Sequence, residues 1–246
     1  MISRIFVSAI VAGVVAGLIA AIVGHFTMTP LILEAERYEN AGEVHSSAPA
    51  ELAIQNAAYR VILTHSDAPA GEKKAWAPQD GLERTLFTGV TTILIAIGYA
   101  LALIGMMVIK GTGIDAQRGL LWGIAGFAAV ALSPALGLPP ELPGSATAGV
   151  AARQIWWFGC IVATACGIGW LAFTDRVHWW LVGILFLILP HAIGAPQAAA
   201  YTSHVPSEIT GQFVAASLAS AAIFWVVLGW TSGAVFDRLG QQTSEA

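Results

Sequence analysis

Apolar residues in this chain come in long unbroken runs, and the charges gather in the gaps between them. A helix crossing a bilayer core needs roughly 20 predominantly apolar residues. Six runs come close to that length: Ile5–His25, Leu86–Ile109, Gly119–Leu138, Ala152–Phe173, Val177–Ala195 and Ile209–Phe236. The expected fold is therefore all-α, a bundle of about six transmembrane helices. It forms a single membrane domain over 1–246, with a long loop carrying short helices at 27–83. The first run follows Arg4 as the apolar part of a signal peptide would, but no clear Ala-x-Ala cleavage site follows, so it reads as a retained helix. Three runs carry Gly-x-x-x-Gly, at Gly13/Gly17, Gly119/Gly123 and Gly229/Gly233. Small residues let lipid-embedded backbones approach closely, so these predict tight helix packing and no particular chemistry.

Composition supports the same picture. Of 246 residues, 57% are hydrophobic and 11% charged. The mean hydropathy is +0.72. Soluble domains carry charge on roughly a quarter of their residues, so lipid must solvate much of this surface. The net charge of −4 is dispersed, and no basic run offers a nucleic-acid surface. Cys160 and Cys166 lie six apart in an apolar run, neither a CxxC nor a zinc spacing, and read as packing residues. A GxxxxGK[ST] loop is absent, so the chain does not itself hydrolyse ATP, and no spacing suggests a catalytic triad. The protein is not expected to be an enzyme.

Charge asymmetry predicts orientation. With both termini in the cytoplasm, Arg4, Lys110, Arg118, Arg176 and Arg238 fall inside, and the short outer loops hold only Arg153. Trp122, Trp170, Trp179, Trp180 and Trp230 then lie near inner helix ends, and Trp156 and Trp157 near an outer one. The expected location is a bacterial cytoplasmic membrane.

The outer loops hold the unusual sequence. Thr29-Pro30 predicts a helix start, the hydroxyl capping and proline suiting the first helical position. Along that helix Glu36, Glu39 and Glu43 share one face, while Leu31, Ala35 and Tyr38 share another. A short helix is expected near Glu51–Leu63. In the second outer loop Pro139, Pro140 and Pro143 surround Glu141 and predict a rigid turn. The third starts at Gly194-Ala195-Pro196, where Pro196 ends a span, and continues without a basic residue to Glu208. Arg153, at the head of a span, is expected to anchor it through Glu141 or Glu34. Glu36 and Glu43 read as a solvated face or as partners of Arg37.

Four segments in order, PLILEAERYE, WAPQDGLERTLFTG, LGLPPELPG followed by RQIWW, and PHAIGAPQ, resemble the CbtA family over nearly the whole chain. Its members are predicted cobalt transporter subunits of bacteria. The resemblance implies five or six spans, cobalt supply for cobalamin synthesis, and a small single-span partner, CbtB. One departure stands out. Many members carry a histidine-rich stretch between the first two segments, where this chain has only His45 and His65.

A divalent first-row metal favours imidazole nitrogen and carboxylate oxygen. His25 ends the first span, and His191 lies about 21 Å along the fifth from Val177 at ~1.5 Å rise per residue. Ionisable groups at membrane depth are functional candidates by default. His191, His25, Glu34, Glu39 and Glu141 are therefore the expected metal ligands, serving a transported Co²⁺ rather than a resident cofactor. For either histidine, a structural bond to backbone groups freed beside proline is the plainer reading. The alternative function is an auxiliary subunit of a larger membrane complex, in which His25 and His191 could be the axial ligands of a haem.

Overall fold

In the computed structural model, described for residues 1–46, 78–79, 81–111, 113–198 and 205–245, the chain is helical, with no strand among the described residues. Helix α1 spans Ile2–Thr27, α2 Thr29–Ser46, α3 Leu82–Lys110 and α4 Ala116–Ala135. They are followed by α5 at Val150–Phe173, α6 at Val177–Ile193 and α7 at Ser207–Glu245. Five of these, α1, α3, α4, α5 and α7, are long and apolar enough to cross a membrane. The sixth apolar helix, α6, stops at Ile193, short of the expected Ala195, because Gly194 leaves the helix at φ +86°.

The apolar helices alternate in direction, so both terminal helices have their outer ends at one end, the terminal end; the described parts of the three longer connections lie at the other, the loop end. The contact of Arg4 with Phe236 fixes this: its Nε donates to the Phe236 carbonyl at 2.6 Å, and its guanidinium stacks 3.8 Å above the ring.

Close approach of backbones explains the core. Helix α1 runs antiparallel to α3 through Gly13 and Gly17, which meet Ile97 and Ile93, and also packs along α7. Helices α4 and α7 cross with Gly119 and Gly123 directly against Gly229 and Gly233, where any side chain would strike the opposite backbone. Leu103, Ile104, Met107, Trp225 and Leu228 fill the centre of this four-helix group.

Helices α5 and α6 form an antiparallel hairpin with Gly167 against Gly183. It docks on α4 and, among the described residues, α6 packs along α5 while α1 packs along α2, α3 and α7. At the terminal end Lys110 sits over the Phe173 ring.

A second, smaller core lies at the loop end. Ala35 of α2, Leu142, Val205 just ahead of α7, and Ile209 and Phe213 near its start bury one another. Of the faces expected for α2, Ala35 is buried with Leu31 against the same core, but Tyr38 is exposed; Glu36 faces α3, where it pairs with Arg84 at 2.6 Å. Arg84, not Arg37, is thus its partner; Arg37 is exposed. The expected Thr29 cap is also corrected. Met28 keeps helical geometry between α1 and α2, so there is no free helix start, and the Thr29 hydroxyl donates back to the Gly24 carbonyl at 3.4 Å. The helix expected near Glu51–Leu63 and His65 lie outside the described residues, as do the side chains of Glu39, Glu43 and His45.

Candidate functional site

The unusual element is the second half of α4. Pro134 has no N–H and its ring crowds the preceding turn. The chain absorbs this by widening to a π-turn over Ala128–Leu132, in which the Ser133 N–H reaches back to Ala128. Such single π-turns interrupt the regular ladder and recur at functional positions. Here the wider turn is followed by Ser133, whose side chain meets the α5–α6 hairpin.

Three side chains meet the Ser133 hydroxyl. Thr164 Oγ1 is 2.8 Å away, His191 Nε2 3.1 Å and Cys160 Sγ 3.3 Å. Cys160 and Thr164 are four apart on α5 and so share a face; both are buried. His191 comes from the last turn of α6, where Trp156 Nε1 donates to the Pro190 carbonyl at 3.1 Å and sets its ring edge-on to the imidazole. A hydroxyl has one proton and two acceptor sites. Ser133 can therefore donate to only one of the three at a time. The partner of the His191 Nε2 is a side chain of α4, not a backbone group freed by Pro190.

Toward the loop end lies a cleft of about 460 Å³ between α4, α5 and α7, walled by Pro134, Leu138, Glu141, Arg153, Gln154 and Ser217 among others. Helix α5 and α7 do not touch among the described residues, which is why the cleft is open on that flank. Arg153 donates through Nη2 to Glu141, one of the two carboxylates the sequence offered it, while its Nε is buried without a partner. The turn that presents Glu141 has a defined geometry. Pro139 and Pro140 lead in, Leu142 is buried, and Gly144 turns at φ +76° with the Ser145 N–H bonded to the Leu142 carbonyl. Pro196 follows Ala195, which packs on Gly137 beside Trp156.

The remaining expected ligands stand apart. His25 is exposed on α1, edge-on to Phe26, and Glu34 is exposed on α2. His25 and His191 lie on helices that do not pack against each other. Among the described residues no three of His, Cys, Asp and Glu converge. What the structure gathers is His191 with Ser133, Thr164 and Cys160, and the latter three carried no weight in the sequence. A serine before proline inside an apolar run, and a Cys and Thr one turn apart in another, were the available signals.

No curated protein and no solved structure matches the chain. The family model for CbtA, described as a probable cobalt transporter subunit, matches residues 2–237. A match across nearly the whole length, on a chain built of apolar membrane-length helices, makes this protein a member of the CbtA family.

Proposed function

We propose that this chain is the membrane subunit through which Co²⁺ enters the bacterial cytoplasm to supply cobalamin synthesis, working with a small single-span CbtB-like partner. In this reading the terminal end is cytoplasmic, in accord with its basic residues, and the loop end faces outward. Metal enters by the cleft, past Glu141, and passes the broken turn of α4.

The observation that carries the reading is His191. It is a partly buried titratable side chain in the last turn of α6, with Nε2 turned toward a hydroxyl at the point where α4 is irregular. Irregular backbone at membrane depth is tolerated where it is buried in protein or lines a cavity, and here it forms part of the cleft wall. A neutral imidazole is a good ligand for first-row divalent metals. Glu141 adds an oxygen donor nearer the loop end, with Arg153 as a tethered cation that an incoming metal must displace. Glu34, exposed on α2, adds negative charge at the same end.

The test is cobalt uptake in cells where this chain and its partner are the only route. His191→Ala is expected to abolish saturable uptake, and Glu141→Gln to raise the half-saturating cobalt concentration. Wild-type rates from His191→Ala at limiting cobalt and unchanged expression would overturn the reading. They would leave the auxiliary-subunit function in its place.

A further inference from the structure

We propose that Cys160 and His191 are paired ligands of a transit site for the divalent cargo, completed by the hydroxyls of Ser133 and Thr164. This rests on the uptake function proposed above and adds to it the donor set, in which a thiolate is the decisive member.

The geometry comes first. Nε2 and Sγ both lie within 3.3 Å of one oxygen, that of Ser133, and Thr164 Oγ1 lies closer still. One nitrogen, one sulfur and one further oxygen, brought in by two helices, thus lie around the Ser133 oxygen of a third. Metal–nitrogen and metal–sulfur bonds at tetrahedral sites run to about 2.0–2.1 Å and 2.3 Å. Donors at those lengths stand farther from one another than hydrogen-bonded atoms do, so Ser133 must draw back from its partners by a modest movement to admit an ion. The element that can move is at hand, since the π-turn and Pro134 interrupt α4 immediately before and after Ser133. The same segment stands between the site and its supply. Val130, Ala131 and Pro134 form the wall of the cleft that contains Glu141.

The donor set also suits transit. A closed site of four cysteine or histidine ligands holds its metal as structure. Conduction instead needs binding strong enough to admit an ion and weak enough to release it. Two firm donors, an imidazole and a thiolate, beside two neutral hydroxyls meet that requirement, and a mixed nitrogen and sulfur set suits a borderline first-row ion.

The chemistry balances simply. As the metal–sulfur bond forms, the Cys160 S–H bond breaks and its proton is released to solvent. His191 gives a lone pair without losing a proton, and both hydroxyls stay protonated and bind through oxygen. The site charge changes by +1 for each ion bound, because one proton leaves for each doubly charged ion that arrives. On the way inward the thiolate is reprotonated as the ion departs.

Cys166 supplies the internal control. It is on the same helix but exposed on another face.

Purified full-length protein titrated with Co²⁺ is expected to show the intense near-ultraviolet charge-transfer band of a cobalt thiolate. The band should persist in Cys166→Ser and vanish in Cys160→Ser, which keeps a hydroxyl to bond Ser133. Cobalt X-ray absorption of the unmutated protein, which depends on no variant folding, should show a sulfur neighbour at about 2.3 Å. Loss of an outer partner of a metal ligand already costs roughly 10–100-fold in affinity, so Cys160→Ser should raise half-saturating cobalt for uptake at least ~10-fold. Uptake that depends on His191 with only nitrogen and oxygen neighbours around cobalt would overturn the thiolate site and leave the uptake function standing. A sulfur neighbour that survives Cys160→Ser would overturn it as well. Wild-type uptake from His191→Ala would remove the function and this site together.

Discussion

The four-helix group of α1, α3, α4 and α7 and the α5–α6 hairpin are both apolar, yet they are held by different physics. In the first, glycine faces glycine or isoleucine, and the backbones touch with no side-chain hydrogen bond at the crossing of α4 and α7. Lipid tails are as apolar as the helices, so association rests on close packing. The hairpin repeats this device internally at Gly167 and Gly183, but it meets the rest of the molecule through directional contacts. These are the Ser133 cluster, the Lys110–Phe173 stack and Arg153 on the Glu141 turn. Close backbone packing along whole helices makes a rigid partner. A few hydrogen bonds across a broken helix make an attachment that can rearrange, and the candidate site lies on that attachment.

The largest effect should come from the packed region. A side chain at Gly229 would collide with the backbone at Gly119 and Gly123. Overpacking a tight interior costs typically 1–3 kcal/mol and occasionally more, and here neither backbone can yield without opening the α4–α7 crossing. Gly229→Leu should therefore eliminate the monodisperse peak in size-exclusion chromatography. Gly105→Ala on α3, where a methyl group meets nothing, should leave that peak unchanged or raise the melting temperature slightly, since alanine is the better helix former. A normal profile for Gly229→Leu would show that the α4–α7 crossing does not depend on glycine.

Next comes the attachment. Ser133→Ala removes the shared partner of Thr164, His191 and Cys160. Leaving a buried polar group unpaired costs about 1–3 kcal/mol, so the variant should fold but melt earlier. The informative measurement is where protection is lost. Hydrogen exchange should rise across 150–193 and hold steady across 2–27, because α1 does not pack on the hairpin. A uniform rise along the chain would mean that the two regions unfold as one, and the contrast between them would fail.

The same contrast explains how far the sequence could be read. The spans and the glycine crossings are periodic or composition-driven, and so they are legible in one dimension. Glu141 and Arg153 are twelve residues apart across a proline-stiffened turn, and that pairing too was within reach. The Ser133 cluster joins residues 27, 31 and 58 positions apart. Single hydroxyls and a thiol in apolar runs have no spacing to betray them. Glu36 met the same limit. Arg37 is its neighbour in sequence, but Arg84, 48 residues away, is its neighbour in space. Thr29-Pro30 misled for a local reason, since Met28 carries helical geometry across the junction and removes the free end that a cap would serve.

The smallest effect belongs to the Arg153–Glu141 pair, which tests whether the hairpin's loop end is fastened as firmly as its middle. Both side chains keep a quarter to a third of their surface exposed. Ion pairs with access to water are worth roughly 0–1 kcal/mol. For a chain of this length 1 kcal/mol moves a melting temperature by about 2–4 °C. Arg153→Ala should therefore lower the midpoint in detergent by no more than a few degrees, less than Ser133→Ala does. Arg153→Lys should restore only part of it, because lysine keeps the charge but not the planar fork. Raising the salt concentration should narrow the gap between wild type and Arg153→Ala, as screening weakens a water-accessible pair. If Arg153→Ala proved more damaging than Ser133→Ala, and salt made no difference, the hairpin would be held chiefly at its loop end. The Glu141 turn would then be a structural clamp, and displacement of Arg153 by an incoming cation would cost too much to serve as the entry step.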